Sequence, residues 1–102
     1  MIARIWHGTT RIDQFEIYTE FLKQVAIPDY QHTEGFRGLS FLRQIKGDEG
    51  HFTLITYWET MEMIKNFAGE DFEKAKYYPE DNDFLLAFEE CVQHHEVFSY
   101  IH

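Results

Sequence analysis

Six histidines, one cysteine and eighteen carboxylates are the side chains of this 102-residue sequence best suited to moving protons, attacking a substrate or holding a metal. His7 comes first. An imidazole, with an ordinary pKa of ~6.5, can serve as a general base near neutrality. MIARIWHG alternates with period two, so His7 shares a strand face with Ala3 and Ile5, while Ile2, Arg4 and Trp6 take the other. If the His7 face meets the helices, the imidazole looks into a cavity. The alternative is a partly buried histidine bonded to a tyrosine or carboxylate. His32 falls in a polar loop beside Tyr30 and Gln31, at a cavity mouth or in solvent. His51 adjoins a turn and is expected to be exposed. His94 and His95 point to opposite faces if extended. That is poor ligand geometry, and no HxH, HxxxH or His–carboxylate cluster occurs at ligand spacing, so no metal site is expected.

Cys91 has Glu89, Glu90 and Val92 as neighbours, and nearby carboxylates disfavour a thiolate. A lone cysteine forms no internal disulfide, which fits a reducing compartment. Glu70, Asp71, Glu73, Glu80, Asp81 and Asp83, interrupted by Lys74 and Lys76, read as a solvated acidic face. There is no nucleophile elbow, phosphate loop or dinucleotide fingerprint. Nothing in the chain marks a site of its own for flavin or nicotinamide.

The elements that position these groups follow from periodicity. Met1 to Gly8 reads as a strand ended by Gly8-Thr9-Thr10, and Thr10 with Asp13 suits a helix cap. Phe15, Tyr18, Leu22 and Val25 fall at spacings of three and four, the apolar stripe of a helix that Pro28 stops. Phe36 to Ile45 and His51 to Trp58 read as strands of a hairpin closed through KGDEG. Thr60 suits the cap of a second helix carrying Met63, Ile64 and Phe67. Phe84 to Phe88 is ambiguous between strand and helix, and His95 to Ile101 alternates as a last strand. The order is βαββαβ, the ferredoxin-like arrangement: an α+β fold with a four-stranded antiparallel sheet and two helices on one face. Apolar side chains on both strand faces imply that the second face is covered too, most economically by another copy of the chain.

The length suits one domain, residues 1–102. Aromatic residues make up 18% of it, enough for a core with rings to spare for a cavity or a subunit contact. A net charge of −9 with no basic stripe argues against nucleic acid. No apolar run approaches the ~20 residues of a membrane helix, and no export signal is visible. A soluble cytoplasmic protein is expected.

MIARIWHG, GFRGLSFLR, the junction HFTLITYWET, FAGED and KYYPED together resemble the antibiotic biosynthesis monooxygenase domain, of the dimeric α+β barrel superfamily, over nearly the whole chain. The resemblance implies a homodimer whose sheets pack into a barrel, with a cavity between sheet and helices in each subunit. It implies a cofactor-free oxygenase of small aromatic or polycyclic molecules or a haem-degrading enzyme; the lack of an unambiguous catalytic set leaves open a non-catalytic dimer that binds a small apolar ligand or a partner protein. In such a cavity His7 would be the base. Trp58 would stack on an aromatic ligand or pack at the barrel interface. Phe67, Tyr77 and Tyr78 would wall the space, and His32 would sit at its edge. The tyrosines would orient a phenol or cap the core. The haem-degrading branch carries an Asn, a Trp and a His at positions that fall here on His7, on Phe67 and near Tyr77. All three depart, which counts against haem, because its iron needs a protein ligand.

Overall fold

The computed structural model describes residues 1–101. Strand β1 (Ile2–Arg11) runs three residues past the expected stop, so Thr10 caps no helix. Its side chain is buried instead, and its hydroxyl has no hydrogen-bond partner. A 3₁₀ turn at Ile12–Gln14 leads to α1 (Phe15–Phe21), a π-helical turn (Leu22–Ala26) and α2 (Ile27–Gln31). Pro28 therefore does not stop the helix. It occupies the first turn of α2, where a missing N–H is tolerated, and the wide turn before it changes the register of the ladder.

Strands β2 (Phe36–Lys46) and β3 (Glu49–Trp58) form a hairpin in which Lys46 pairs with Glu49. The loop is thus only Gly47-Asp48, shorter than expected. Gly47 has a φ of 61° at the first central position, as a type II′ turn demands. Helix α3 (Met61–Ala68) starts as expected: the Met63 N–H donates to Thr60 Oγ1 at 3.2 Å. After residues 69–80, an irregular strap, a single turn α4 (Asp81–Phe84) leads into β4 (Leu85–Phe88) and then β5 (Gln93–Glu96). The ambiguous apolar run is thus helix at its first residue and strand thereafter.

The sheet is antiparallel, ordered β2-β3-β1-β4, and β5 also pairs with β1. β4 lies against Gly8–Thr10 and β5 against Ile2–Ile5, so the fourth strand of a ferredoxin-like sheet is present in two pieces. The interruption carries the backbone out to the strap. Ala75 N–H donates to Glu90 O, and Val92 N–H donates to Glu73 O, both at 2.9 Å. The last strand ends at Glu96, short of the expected Ile101.

Register assigns the faces. Arg4, Trp6, Phe52, Leu54, Thr56 and Trp58 point to the helices and are buried. Ile5, His7, Thr53, Ile55 and Tyr57 point the other way and are half-buried or exposed.

Candidate functional site

Three elements and the strap converge over the inner face of β1 and β3. Trp6 is held there by its own strand. A side chain at Gly8 would put its Cβ 2.3 Å from the Trp6 ring, so only glycine lets the indole lie along the strand. Trp6 Nε1–H donates to Tyr77 Oη at 2.7 Å, and Tyr77 Oη–H donates to the Glu89 carbonyl. Tyr18 and Leu22 come from the α1 face and Tyr30 from α2. Phe67 comes from α3, and Lys76, Tyr77, Tyr78 and Asp81 come from the strap and its end. Together with Arg4, Leu54 and Thr56 these residues line a cavity of about 30 Å³, room for a few water molecules.

The strap is latched over this cavity. Asp29 Oδ2 accepts from Tyr78 Oη at 2.7 Å and from Lys76 Nζ at 2.9 Å. The Lys76 ammonium also sits 4.2 Å from the centre of the Phe67 ring, a cation–π contact. Below, Arg4 donates to the carbonyls of Phe72 and Lys74, the second at 3.0 Å.

Asp81 is 5% exposed. Its Oδ2 accepts the Tyr78 N–H at 2.7 Å, and the Tyr18 hydroxyl is its side-chain partner. Burial pushes its carboxyl above the ordinary 3.8, while those two bonds pull the other way and Glu80 adds to the rise. Burial pushes all four cavity phenols, Tyr18, Tyr30, Tyr77 and Tyr78, above their ordinary 10. They are therefore hydrogen-bond donors at any physiological pH, with Asp81 the carboxyl among them.

Of the residues singled out in the sequence, Phe67, Tyr77 and Tyr78 line this cavity. His7 does not. The face it shares with Ala3 and Ile5 is the outer one, and its ring pairs with Glu89 in solvent at 3.0 Å. Trp58 does not line the cavity either. It is fully buried behind the wall, against Ile64 and Phe67, with its indole N–H on Thr56 Oγ1. His32 ends α2 as an exposed side chain. Two lining residues carry no such signal in the sequence. Arg4 reads as an ordinary strand position, although it has the phase of Trp6, and Asp81 lies in an acidic run whose other members are exposed. Among the described residues no group of three His, Cys, Asp or Glu gathers as a metal site, and no helix is long and apolar enough to cross a membrane.

No family model and no curated protein matches the sequence. Solved structures do match in shape. One is a Bacillus cereus protein provisionally designated an antibiotic biosynthesis monooxygenase, with 20% identity, TM-score 0.67, and coverage of 99% of this chain and 94% of that one. Another is the haem degrader MhuD of Mycobacterium tuberculosis, solved with two haems in its active site, with 18% identity, TM-score 0.67 and full coverage of both chains. A third is a dimeric ferredoxin-like protein from an uncultured marine organism, with 12% identity, TM-score 0.60, and coverage of 98% and 95%. At these identities the likeness defines the fold alone, a ferredoxin-like α+β arrangement shared with these three proteins.

Proposed function

We propose that this chain is a homodimeric member of the antibiotic biosynthesis monooxygenase family that oxygenates a small aromatic molecule in its inner-face cavity without a bound cofactor. The observation that carries the reading is the lining: a buried carboxyl of raised pKa, four protonated phenols and the rings of Trp6 and Phe67 around one space. A base whose pKa is lifted toward the working pH is better matched to abstracting a proton from a weak carbon or phenol acid. Asp81 takes that proton, and the phenols orient the resulting anion. The anion passes one electron to O₂ and the radical pair recombines at carbon. In the full reaction a CH₂ becomes C=O and the second oxygen atom leaves as water, so the substrate supplies all four electrons. The protein contributes orientation and exclusion of water. His7 is set aside as the base because its ring lies on the other side of the sheet.

Homodimerisation is supported by the outer face. Leu42 is 52% exposed there beside Ile5, Ile55 and Tyr57, while Phe98 and Ile101 stand beyond the last strand almost wholly in solvent. A second sheet would cover this surface.

Haem is a poor fit to these residues. Among the described residues the cavity lining holds no His or Cys, Tyr77 and Tyr78 already donate to Glu89 O and Asp29, and the space is far smaller than a macrocycle. The smallness of the cavity also favours a second reading, a binding module that opens for a ligand and performs no chemistry. Oxygen consumption with a panel of anthrones and polycyclic phenols separates the two. The expected result is uptake that falls about 100-fold or more in Asp81→Asn. Binding without uptake supports the module, and uptake unchanged in Asp81→Asn removes the proposed mechanism.

A further inference from the structure

Arg4 carries a buried charge with no counter-ion. The residue is 4% exposed. Its Nη1 donates to the Phe72 carbonyl and to His94 Nε2 at 3.1 Å, and its Nη2 donates to the Lys74 carbonyl. His94 Nε2 is the acceptor in that contact, so its ring is neutral, in keeping with a pKa lowered by burial and by Arg4 itself. Among the described residues no carboxylate lies within ion-pair distance of Arg4, and its Nε has no bond. Carbonyls and a neutral imidazole satisfy N–H groups, but they do not balance a positive charge. A guanidinium keeps that charge at any working pH and presents its five donors as a fork. Buried charges are otherwise paired.

The two carboxylates nearest the cavity are already committed. Asp29 serves Lys76 and Tyr78, and Asp81 serves the Tyr78 N–H and Tyr18. Lys76, the other cation of the lining, is paired with Asp29, so among the described residues the unpaired positive charge of the cavity wall is Arg4, on β1, beside the Tyr30 phenol.

We propose that Arg4 is the anion subsite of the cavity: the ligand carries, or acquires on losing its proton, a single negative oxygen that meets this guanidinium. The substrate class is an acidic phenol or enol, and an aromatic carboxylate would be a competitive inhibitor. This rests on the cavity reading above and deepens it, because Arg4 would hold the anion that Asp81 creates. It also explains how a ring could enter a space of about 30 Å³. An anion competing for the guanidinium releases the Phe72 and Lys74 carbonyls, and with them the strap.

The test uses 4-nitrophenol, whose phenolate absorbs in the visible. Bound to the whole protein, its pKa is expected to fall by about one unit or more, as beside an opposite charge. The shift should disappear in Arg4→Gln and persist in Arg4→Lys, and benzoate should displace the probe where benzamide does not. Displacement of the probe is followed through the fluorescence of Trp6 and Trp58 together. Binding with an unshifted pKa in the parent protein would overturn the role of Arg4 while leaving the cavity reading intact, and that result does not depend on either variant folding. Absence of any binding would overturn both.

Discussion

The two faces of β1 and β3 are built from alternate residues of the same two strands, and they end in opposite circumstances. Inward, Arg4, Trp6, Leu54, Thr56 and Trp58 are buried under helices and the strap. Outward, Ile5, His7, Thr53, Ile55 and Tyr57 remain half-buried or exposed. A shift of one residue would exchange the sets, because side-chain direction has period two. Strand phase, and not the presence of a histidine, decides which ionisable group meets the cavity. Here it brings in Arg4 and leaves out His7.

The largest expected difference between the faces is in stability. Trp58→Ala empties a fully buried site against Ile64 and Phe67 and should cost about 3–5 kcal/mol in urea denaturation. Leu42→Ala, on the outer face, should cost less than about 1 kcal/mol at dilutions where the chain is monomeric. Comparable losses would erase the distinction.

Next comes turnover. With a substrate in hand, Asp81→Asn should lose about 100-fold, whereas His7→Ala should match the parent. The reverse pattern would return the base role to the outer face.

Association depends on the outer face. Leu42→Glu places a charge in the proposed dimer contact and should weaken dimerisation by about tenfold or more in sedimentation, ~1.4 kcal/mol, with the circular dichroism unchanged. An inner-face change such as Tyr78→Phe should leave the dimer alone.

The smallest effect concerns pH and the strap. At Asp29, burial alone would raise the pKa. The bonds from Tyr78 and Lys76, with the charges of Lys76 and His32, outweigh burial and leave it below the ordinary 3.8. Its contribution to stability is therefore present above pH 3.8 and is lost as pH falls through the lowered value. Because both partners are partly solvated, the effect should stay under ~1 kcal/mol. Asp81 has the opposite sign: its raised pKa means that the folded state gains stability as pH falls from the raised value toward 3.8. Protection factors of the amides across residues 74–80, taken against the intrinsic exchange rate at each pH, should therefore fall in acid in the parent protein and be less pH-sensitive in Asp29→Asn.

Much of this molecule is readable in its sequence. Periods of two and of three to four locate β1, the first helical run, the hairpin and α3, and Thr60 marks the cap that the structure contains. Pro28 misleads because a helix tolerates proline in a first turn, and the π-helical turn that creates this one has no simple residue signature. The site was less legible. Trp6 and Ile5 are both large and apolar, so hydrophobicity does not say which face of β1 meets the helices. The answer comes from tertiary packing, where Gly8 makes room for the Trp6 ring on one face only. Asp81 hides among exposed acids because its side-chain hydrogen-bond partner, Tyr18, lies sixty-three residues away in the chain.

The most direct test of the account follows resonances on both faces while one small aromatic, 1-naphthol, is added. The Trp6 indole N–H and the ring protons of Phe67 and Tyr77 should shift together and saturably, while the His7 ring stays where it was. Shifts at His7 and its outer-face neighbour His51, with Trp6 unmoved, would contradict the account.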